Sequence, residues 1–337
     1  MIYYRPLAQT DAACPPDAPR LAGGWCWFDR LERLERGAPG RIVGVGDVPE
    51  EVLRRLCDPR PDLAGMRMDR PRLMGVLNVT PDSFSDGGRF QAADAAVAHA
   101  QSMVLAGADI LDIGGESTRP GAAEVSPDVE TGRIEPVIRA LTGAGVAAPI
   151  SIDTRKADVA SAALRAGARI VNDVSALSHD ALLAQVVAET GAPLCLMHAQ
   201  GDPATMQNDP RYDDVLLDVF DYLAARIAMA EAAGIRRERI IVDPGIGFGK
   251  TTEHNLALIR GLSLFHGLGC PVLLGASRKR FIGTIGRADR ADQRVAGTLA
   301  VTLAGISQGV QIHRVHDITE AKQALRLWQA VTLGETT

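Results

Sequence analysis

Asp153 and Asp243 each close a run of largely β-branched residues, ISID and RIIVD, where a carboxylate is costly to bury unless something donates hydrogen bonds to it. With the amide of Asn172 at the end of another such run, they make a set of acceptors suited to the edge of a donor-rich heterocycle, because a carboxylate takes two parallel N–H bonds well. Capping of the next helix is the other role open to Asp153, and less so to Asp243, since Pro244 and Gly245 follow it. The chain has 32 arginines and only four lysines, Lys156, Lys250, Lys279 and Lys322. Against that background Lys279, in GASRKRF, points to a need for a compact ammonium donor rather than a guanidinium fork. A solvated lysine at a helix start is the plain alternative. In RVHD, Arg314 and His316 stand two apart and share one face of an extended strand, while His313 takes the other. Two cations at a strand mouth suit a phosphate or diphosphate, although a satisfied core histidine beside a surface arginine gives the same letters. Asn78 then supplies a neutral oxygen for Mg²⁺, which commonly takes one or two protein oxygens and completes its shell with diphosphate oxygens.

Two loops add to this set. LNVTPDSFSDGG, residues 77–88, leaves an apolar run through Asn78, Asp82 and Ser83 and places Phe84 among polar neighbours; Pro81, Gly87 and Gly88 are ordinary loop formers, so a solvated turn competes with a ligand loop. DPGIGFGK, residues 243–250, lacks the spacing of a P-loop, and its glycines suit close approach of the backbone to a flat ligand, with Phe248 nearby. His198, in LMHAQG, reads as readily as a structural hydrogen-bonding residue as a ligand contact.

The elements that must carry these residues form a regular series. From residue 71, eight short apolar runs (RLMGVLN, ADILDIGG, APISID, ARIVND, APLCLMH, RIIVD, PVLLGAS and VQIHRV) alternate with Ala- and Leu-rich amphipathic stretches. Fully buried strands alternating with helices mean a parallel sheet, and eight such units predict an α/β fold of the (β/α)8 TIM-barrel type, an open doubly wound sheet being the runner-up. The runs end in Asn78, in Glu116 to Arg119, then in Asp153, Asn172, His198, Asp243, Lys279 and the Arg314–His316 pair. Carboxyl ends of barrel strands form the active-site mouth, so these endings converge on a ligand site. Residues 1–70 differ in composition and are read as an N-terminal accessory segment, in which RIVGVGDVPEEVLRRLCD suggests strand, turn and helix; residues 71–337 are the barrel domain. Since the motifs lie after residue 71, loss of the segment is expected to affect solubility or stability rather than chemistry.

A net charge of −5 with dispersed arginines gives no electrostatic footprint for nucleic acid, and small-molecule partners are expected. Five cysteines without a CxxC pair argue for a reduced, cytoplasmic protein. No apolar stretch has the length of a signal peptide core or a membrane span, so no membrane association is expected.

LMGVLNVTPDSFSDGGRF, ADILDIGGESTRPGA, SIDTRK, VNDVSAL, DPGIGFGK, SRKRFIG and RVHD, in this order, resemble dihydropteroate synthases, and the resemblance spans residues 71 to about 330. It implies a pterin-binding TIM barrel, usually a homodimer, that joins 6-hydroxymethyl-7,8-dihydropterin diphosphate to 4-aminobenzoate in folate biosynthesis, releases diphosphate and is a target of sulfonamides. It further implies that Asp153, Asn172, Asp243 and Lys279 hold the pterin, and that Asn78, Arg314 and His316 hold the diphosphate with Mg²⁺ as cofactor. Asp82, Phe84, Thr118, Arg119 and Pro120 would form the aminobenzoate pocket with Gly247 and Phe248 alongside. Lys279, Asp243, Asp82 and Arg314 would stand nearest the chemistry. Two positions depart from the pattern: Arg280 stands where serine is common near the aminobenzoate carboxylate, and Ala199 where methionine is common. A pterin-binding methyltransferase would share the pterin pocket but lack the diphosphate grip and PDSFSDGG.

Overall fold

The computed structural model describes residues 1–79, 89–117, 124–201 and 206–334, with the side chains of 89–93 left aside. The chain opens with an antiparallel meander of β1 (Ile2–Pro6), β2 (Arg30–Glu35) and β3 (Ala38–Gly44), followed by α1 (Glu50–Cys57). β3 and α1 are the strand and helix expected from RIVGVGDVPEEVLRRLCD; β1 and β2 were not anticipated. The eight apolar runs then become β4 (Arg72–Asn78), β5 (Ile110–Gly114), β6 (Ile150–Asp153), β7 (Ile170–Asp173), β8 (Leu194–Met197), β9 (Ile240–Asp243), β10 (Leu273–Leu274) and β11 (Ile312–Val315). All pair in parallel, in the order β10, β11, β4, β5, β6, β7, β8, β9. The ring closes where Val242 N–H donates to the Pro271 carbonyl at 3.0 Å beside a parallel bridge from Val242 to Val272.

Helices α2 (Arg89–Ala106), α3 (Pro127–Gly143), α4 (Ala157–Ala166), α5 (Leu182–Thr190), α6 (Val215–Ala232) and α7 (Thr252–Arg260) follow the first six barrel strands. α8 (Arg280–Gly286) and α9 (Val295–Ile306) both lie between β10 and β11, and α10 (Ile318–Leu333) ends the described chain. A barrel coated by helices buries each strand on both faces, which is why the strands read as near-continuous apolar runs. The expected (β/α)8 TIM barrel is therefore the fold. Among the described residues no helix is long and apolar enough to cross a membrane.

The two-residue period of the strands sorts the lumen into layers. Near the strand starts, Met74, Ile110, Ile170, Cys195, Ile241, Leu273 and Ile312 form one buried cluster with Leu63, Met66 and Met68. The chain just ahead of β4 thus stoppers the amino-terminal end of the barrel. Two residues further along, the inward positions turn polar, with Asp112, Asn172, Asp243 and Arg314, and Asp153 ends β6 beside them. A larger apolar shell fills the space between strands and helices and takes in Leu21, Phe28, Leu31 and Leu56 from the amino-terminal segment. The two sequence regions therefore share one core.

Polar ties hold the segment in place. Trp25 Nε1 donates to the Ile306 carbonyl at 2.8 Å, and Ser263 Oγ to the Pro6 carbonyl at 2.8 Å. The buried Arg60 guanidinium donates to the His266 carbonyl at 2.9 Å and to the Asp58 and Arg55 carbonyls. These partners sit before β10 and β11, at the end of the barrel opposite the strand carboxyl ends.

Leu63 is fully buried in the stopper, whereas Ile42 on β3 is 57 % exposed. Leu63→Ala should cost about 2–5 kcal/mol in urea unfolding, and Ile42→Ala only about 0.5 kcal/mol, within a single transition. Two separated transitions, or equal costs, would show that the segment folds apart from the barrel.

Candidate active site

Seven of the residues expected at the site lie around the carboxyl-terminal mouth: Asn78 ends β4, Asp153 ends β6, Asn172 lies on β7, Asp243 ends β9, Lys279 follows β10, and Arg314 and His316 lie on and just after β11. Gly247 and Phe248 belong to the loop after β9. Asp82, Phe84, Thr118, Arg119 and Pro120 fall outside the described residues.

The innermost contact is an arginine between two carboxylates. Arg314 Nε donates to Asp112 Oδ2 at 2.6 Å, and its Nη2 to Asp153 Oδ2 at 2.8 Å. Asn172 Nδ2 also donates to Asp112 Oδ2, at 3.2 Å. Asp112 was missed in the sequence because it lies inside a run rather than at its end. Alternation from Ile110 through Asp112 to Gly114 would have placed it in the lumen. Among the described residues, Asp112 Oδ1 and Asp153 Oδ1 are buried without a hydrogen-bond partner. A buried acceptor left open in this way is costly and marks a place where a donor-bearing ligand is welcome.

Burial lifts the acids. The Asp153 carboxyl is pushed up to about 7 by desolvation, against the pull of the Arg314 guanidinium and with a further push from Asp112. Desolvation likewise raises Asp243 to about 6, against the Gly245 N–H bond and the Lys279, Lys250 and Arg314 charges. Neither aspartate caps a helix: the residue before α4 is Lys156, and Asp243 Oδ1 accepts from Gly245 N–H at 2.7 Å. That bond bends the chain sharply at the end of β9. Gly245 has φ +68°, and a Cβ there would lie 1.8 Å from the His198 carbonyl oxygen, so only glycine fits.

Lys279 is aimed by a turn whose parts the sequence did not single out. Arg278 takes a left-handed φ of 57°. Its N–H donates to Thr298 Oγ1 at 3.0 Å, its Nε to Asp317 Oδ2 at 3.0 Å, and Arg294 Nη1 donates to its carbonyl at 3.0 Å. Lys279 then precedes α8 with its Nζ 3.9 Å from the centre of the Phe248 ring. Arg280 begins α8 and is exposed. His316 is fixed through Ser277: the hydroxyl accepts from His316 N–H at 3.2 Å and lies 2.9 Å from Nδ1.

Two further strand endings, Glu116 and the His198 left open between a structural and a ligand role, are each tied to a buried lysine. Glu116 pairs with buried Lys156 at 3.1 Å and accepts from Val125 N–H at 2.8 Å, while Lys156 also meets Glu130 at 2.6 Å. His198 is buried, and its Nδ1 lies 2.8 Å from Lys250 Nζ.

Open carboxylates beside a lysine and an arginine can seat a flat donor-rich ring and leave cations at its rim. Comparison with known proteins agrees. Residues 74–316 match the family model described as pterin binding enzyme. The dihydropteroate synthase of Neisseria meningitidis serogroup B is 48% identical over 272 residues, covering 79% of this chain and 95% of the relative. That of Escherichia coli K12 is 46% identical over 263 residues, covering 78% and 92%. Among solved structures, the Xanthomonas albilineans dihydropteroate synthase with 4-aminobenzoic acid superposes with a TM-score of 0.75 at 47% identity, over 81% of this chain and 98% of that one. The same enzyme in complex with 7,8-dihydropteroate gives 0.73 at 45% identity over the same shares. The chain belongs to the pterin-binding enzyme family, and within it to the dihydropteroate synthases.

Proposed function

We infer that the chain joins 6-hydroxymethyl-7,8-dihydropterin diphosphate to 4-aminobenzoate, giving 7,8-dihydropteroate and diphosphate. The observation that carries this reading is the open acceptor set at the mouth, with Asp153 and Asp243 raised by burial and Lys279 and Arg314 beside them. The arylamine nitrogen forms a bond to the pterin methylene carbon as the bond from that carbon to the diphosphate oxygen breaks; the proton released from nitrogen passes to solvent or to the departing diphosphate. Ring nitrogen electrons favour the departure, so the protein's tasks are to hold the two rings in line and to neutralise the leaving group. Asp153, Asn172 and Asp243 take the pterin's N–H edge, and Lys279 spans the ring and the Phe248 face. Arg314 and His316 meet the diphosphate. Asp82, Phe84, Thr118, Arg119 and Pro120 are assigned to the 4-aminobenzoate side with Gly247, Phe248 and the exposed Arg280, a place that a sulfonamide would share. Incubation with both substrates and Mg²⁺, followed by chromatography for dihydropteroate, tests the reading; no product would overturn it.

Mg²⁺ suits the residues present. Asn78 is half-buried at the end of β4, and its Oδ1 and Asp153 Oδ2, two hard oxygens, both lie 3.8 Å from the place a Cβ on Gly114 would take. An ion held by Asn78 would complete its shell with the substrate's own oxygens. When bound, Mg²⁺ neutralises diphosphate charge. We further infer a cytoplasmic homodimer. All five cysteines are free, which suits a reducing compartment, and exposed Leu327 and Val331 on α10 offer apolar surface to a second copy.

The donor edge of the pterin binds ionised carboxylates, so proton uptake by Asp153 near pH 7 and Asp243 near pH 6 competes with it. Pterin affinity should fall progressively from pH 8 to pH 5.5 in calorimetry, and binding at neutral pH should release protons. A flat profile would show that neither acid faces the ring.

Asp243→Asn turns one acceptor into a donor facing donors, costing about 1–3 kcal/mol, or roughly tenfold or more in pterin Kd. Unchanged binding would remove Asp243 from the site.

Arg314→Met leaves Asp112 and Asp153 without their cation, and breaking a buried pair costs about 3–5 kcal/mol. The urea midpoint should drop, and the pterin alcohol should bind more weakly along with the diphosphate. A loss confined to the diphosphate would mean that Arg314 serves the leaving group alone.

A further inference from the structure

The loop from Asp243 to Lys250 carries glycines at positive φ at 245, 247 and 249, yet its backbone is tied down along its length. Gly247 N–H donates to Asn255 Oδ1 at 2.7 Å, and the Gly247 carbonyl accepts from Gln207 Nε2 at 2.7 Å. The Gly249 carbonyl accepts from Tyr212 Oη at 2.7 Å. The carbonyl between them, that of Phe248, accepts from Lys250 Nζ at 3.0 Å. Two neutral side chains thus hold the flanking carbonyls, while the middle one is held by a buried ammonium.

That choice is expensive. Lys250 is 4 % exposed, and no carboxylate among the described residues forms an ion pair with it. Burial pulls its pKa down to about 7, with Asp243 drawing it up and Lys279 pushing it down. Its partner is His198, whose Nδ1 lies 2.8 Å away and whose ring packs edge-on against Tyr222 at 4.8 Å between centroids. Burial and the neighbouring ammonium push His198 down to about 2, so the ring stays neutral and Nδ1 accepts. His198 is itself anchored, donating its N–H to the Asp243 carbonyl at 2.9 Å. The cost of the buried ammonium is set against one visible result: Phe248 is held with its ring 3.9 Å from Lys279 Nζ.

We propose that Lys250, gripped by His198, is a positioning residue that fixes the Phe248 carbonyl and thereby the ring that forms one wall of the arylamine place. The assignment rests on the reaction inferred above. Lys250 touches neither substrate; it acts through Phe248.

Turnover of the native protein is measured first, since its absence overturns both the reaction and this assignment. Given turnover, Lys250→Met should raise the KM for 4-aminobenzoate roughly tenfold, with kcat and the Kd for the pterin diphosphate changed by less than about threefold. In a Phe248→Leu background the same substitution should add less than about twofold, because the two residues act as one unit. His198→Asn, whose Oδ1 falls where Nδ1 was, should stay near native, while His198→Ala should match Lys250→Met; this pair gives the same comparison if Lys250→Met does not fold. A KM effect undiminished by Phe248→Leu, equal behaviour of the two His198 variants, or kinetic losses that merely follow a lowered thermal midpoint would overturn the proposal.

Discussion

A guanidinium held between two carboxylates governs the barrel mouth. Asp112, Asp153 and Asp243 converge on a lumen shielded from water, where like charges repel strongly and desolvation favours the neutral acids. Arg314 makes such a concentration of acceptors tolerable by meeting Asp112 and Asp153 with separate nitrogens. The two partners are not equivalent. Each keeps one oxygen without a partner, but Asp112 is fully enclosed and bonded to Asn172 as well, whereas Asp153 lies at the strand end, nearer the opening. In the inferred reaction Asp153 can turn toward an arriving pterin while Asp112 keeps the arginine in place. The pocket thus holds its own counter-charge before any substrate arrives, which lowers the reorganisation that binding requires.

Much of this was legible in the chain. Each of the eight apolar runs is a strand, because a sheet buried on both faces leaves no polar alternation to confuse the pattern, and polar endings stand out against it. Asp112 escaped notice for the same reason: one acid inside an apolar run looks like an interruption until strand alternation turns it inward. The Arg278 turn, closed by Asp317 and Thr298, joins residues as much as 39 apart and leaves no local signature. His198 and Lys250 are 52 apart and meet only because β8 and β9 are neighbours.

The amino-terminal sheet was the least legible part. RLERLE, which becomes β2, spaces its leucines three apart as a helix would, and only Leu31 is fully buried. What makes it a strand is pairing: β1 lies antiparallel to it, and Arg5 meets Glu32 at 2.7 Å across the two. Such pairing between distant stretches overrides local preference, and one sequence does not display it.

The stopper built from Leu63, Met66 and Met68 has a consequence for traffic. With its far end filled, the barrel is a blind vessel with one door. A molecule that settles at the Asp112–Asp153 layer must pass that door before anything rests across it, and a second molecule seated nearer the rim bars the way out. In the inferred reaction the deep-binding ring lies below whatever the rim holds, so one opening must serve both the entry of substrates and the exit of product.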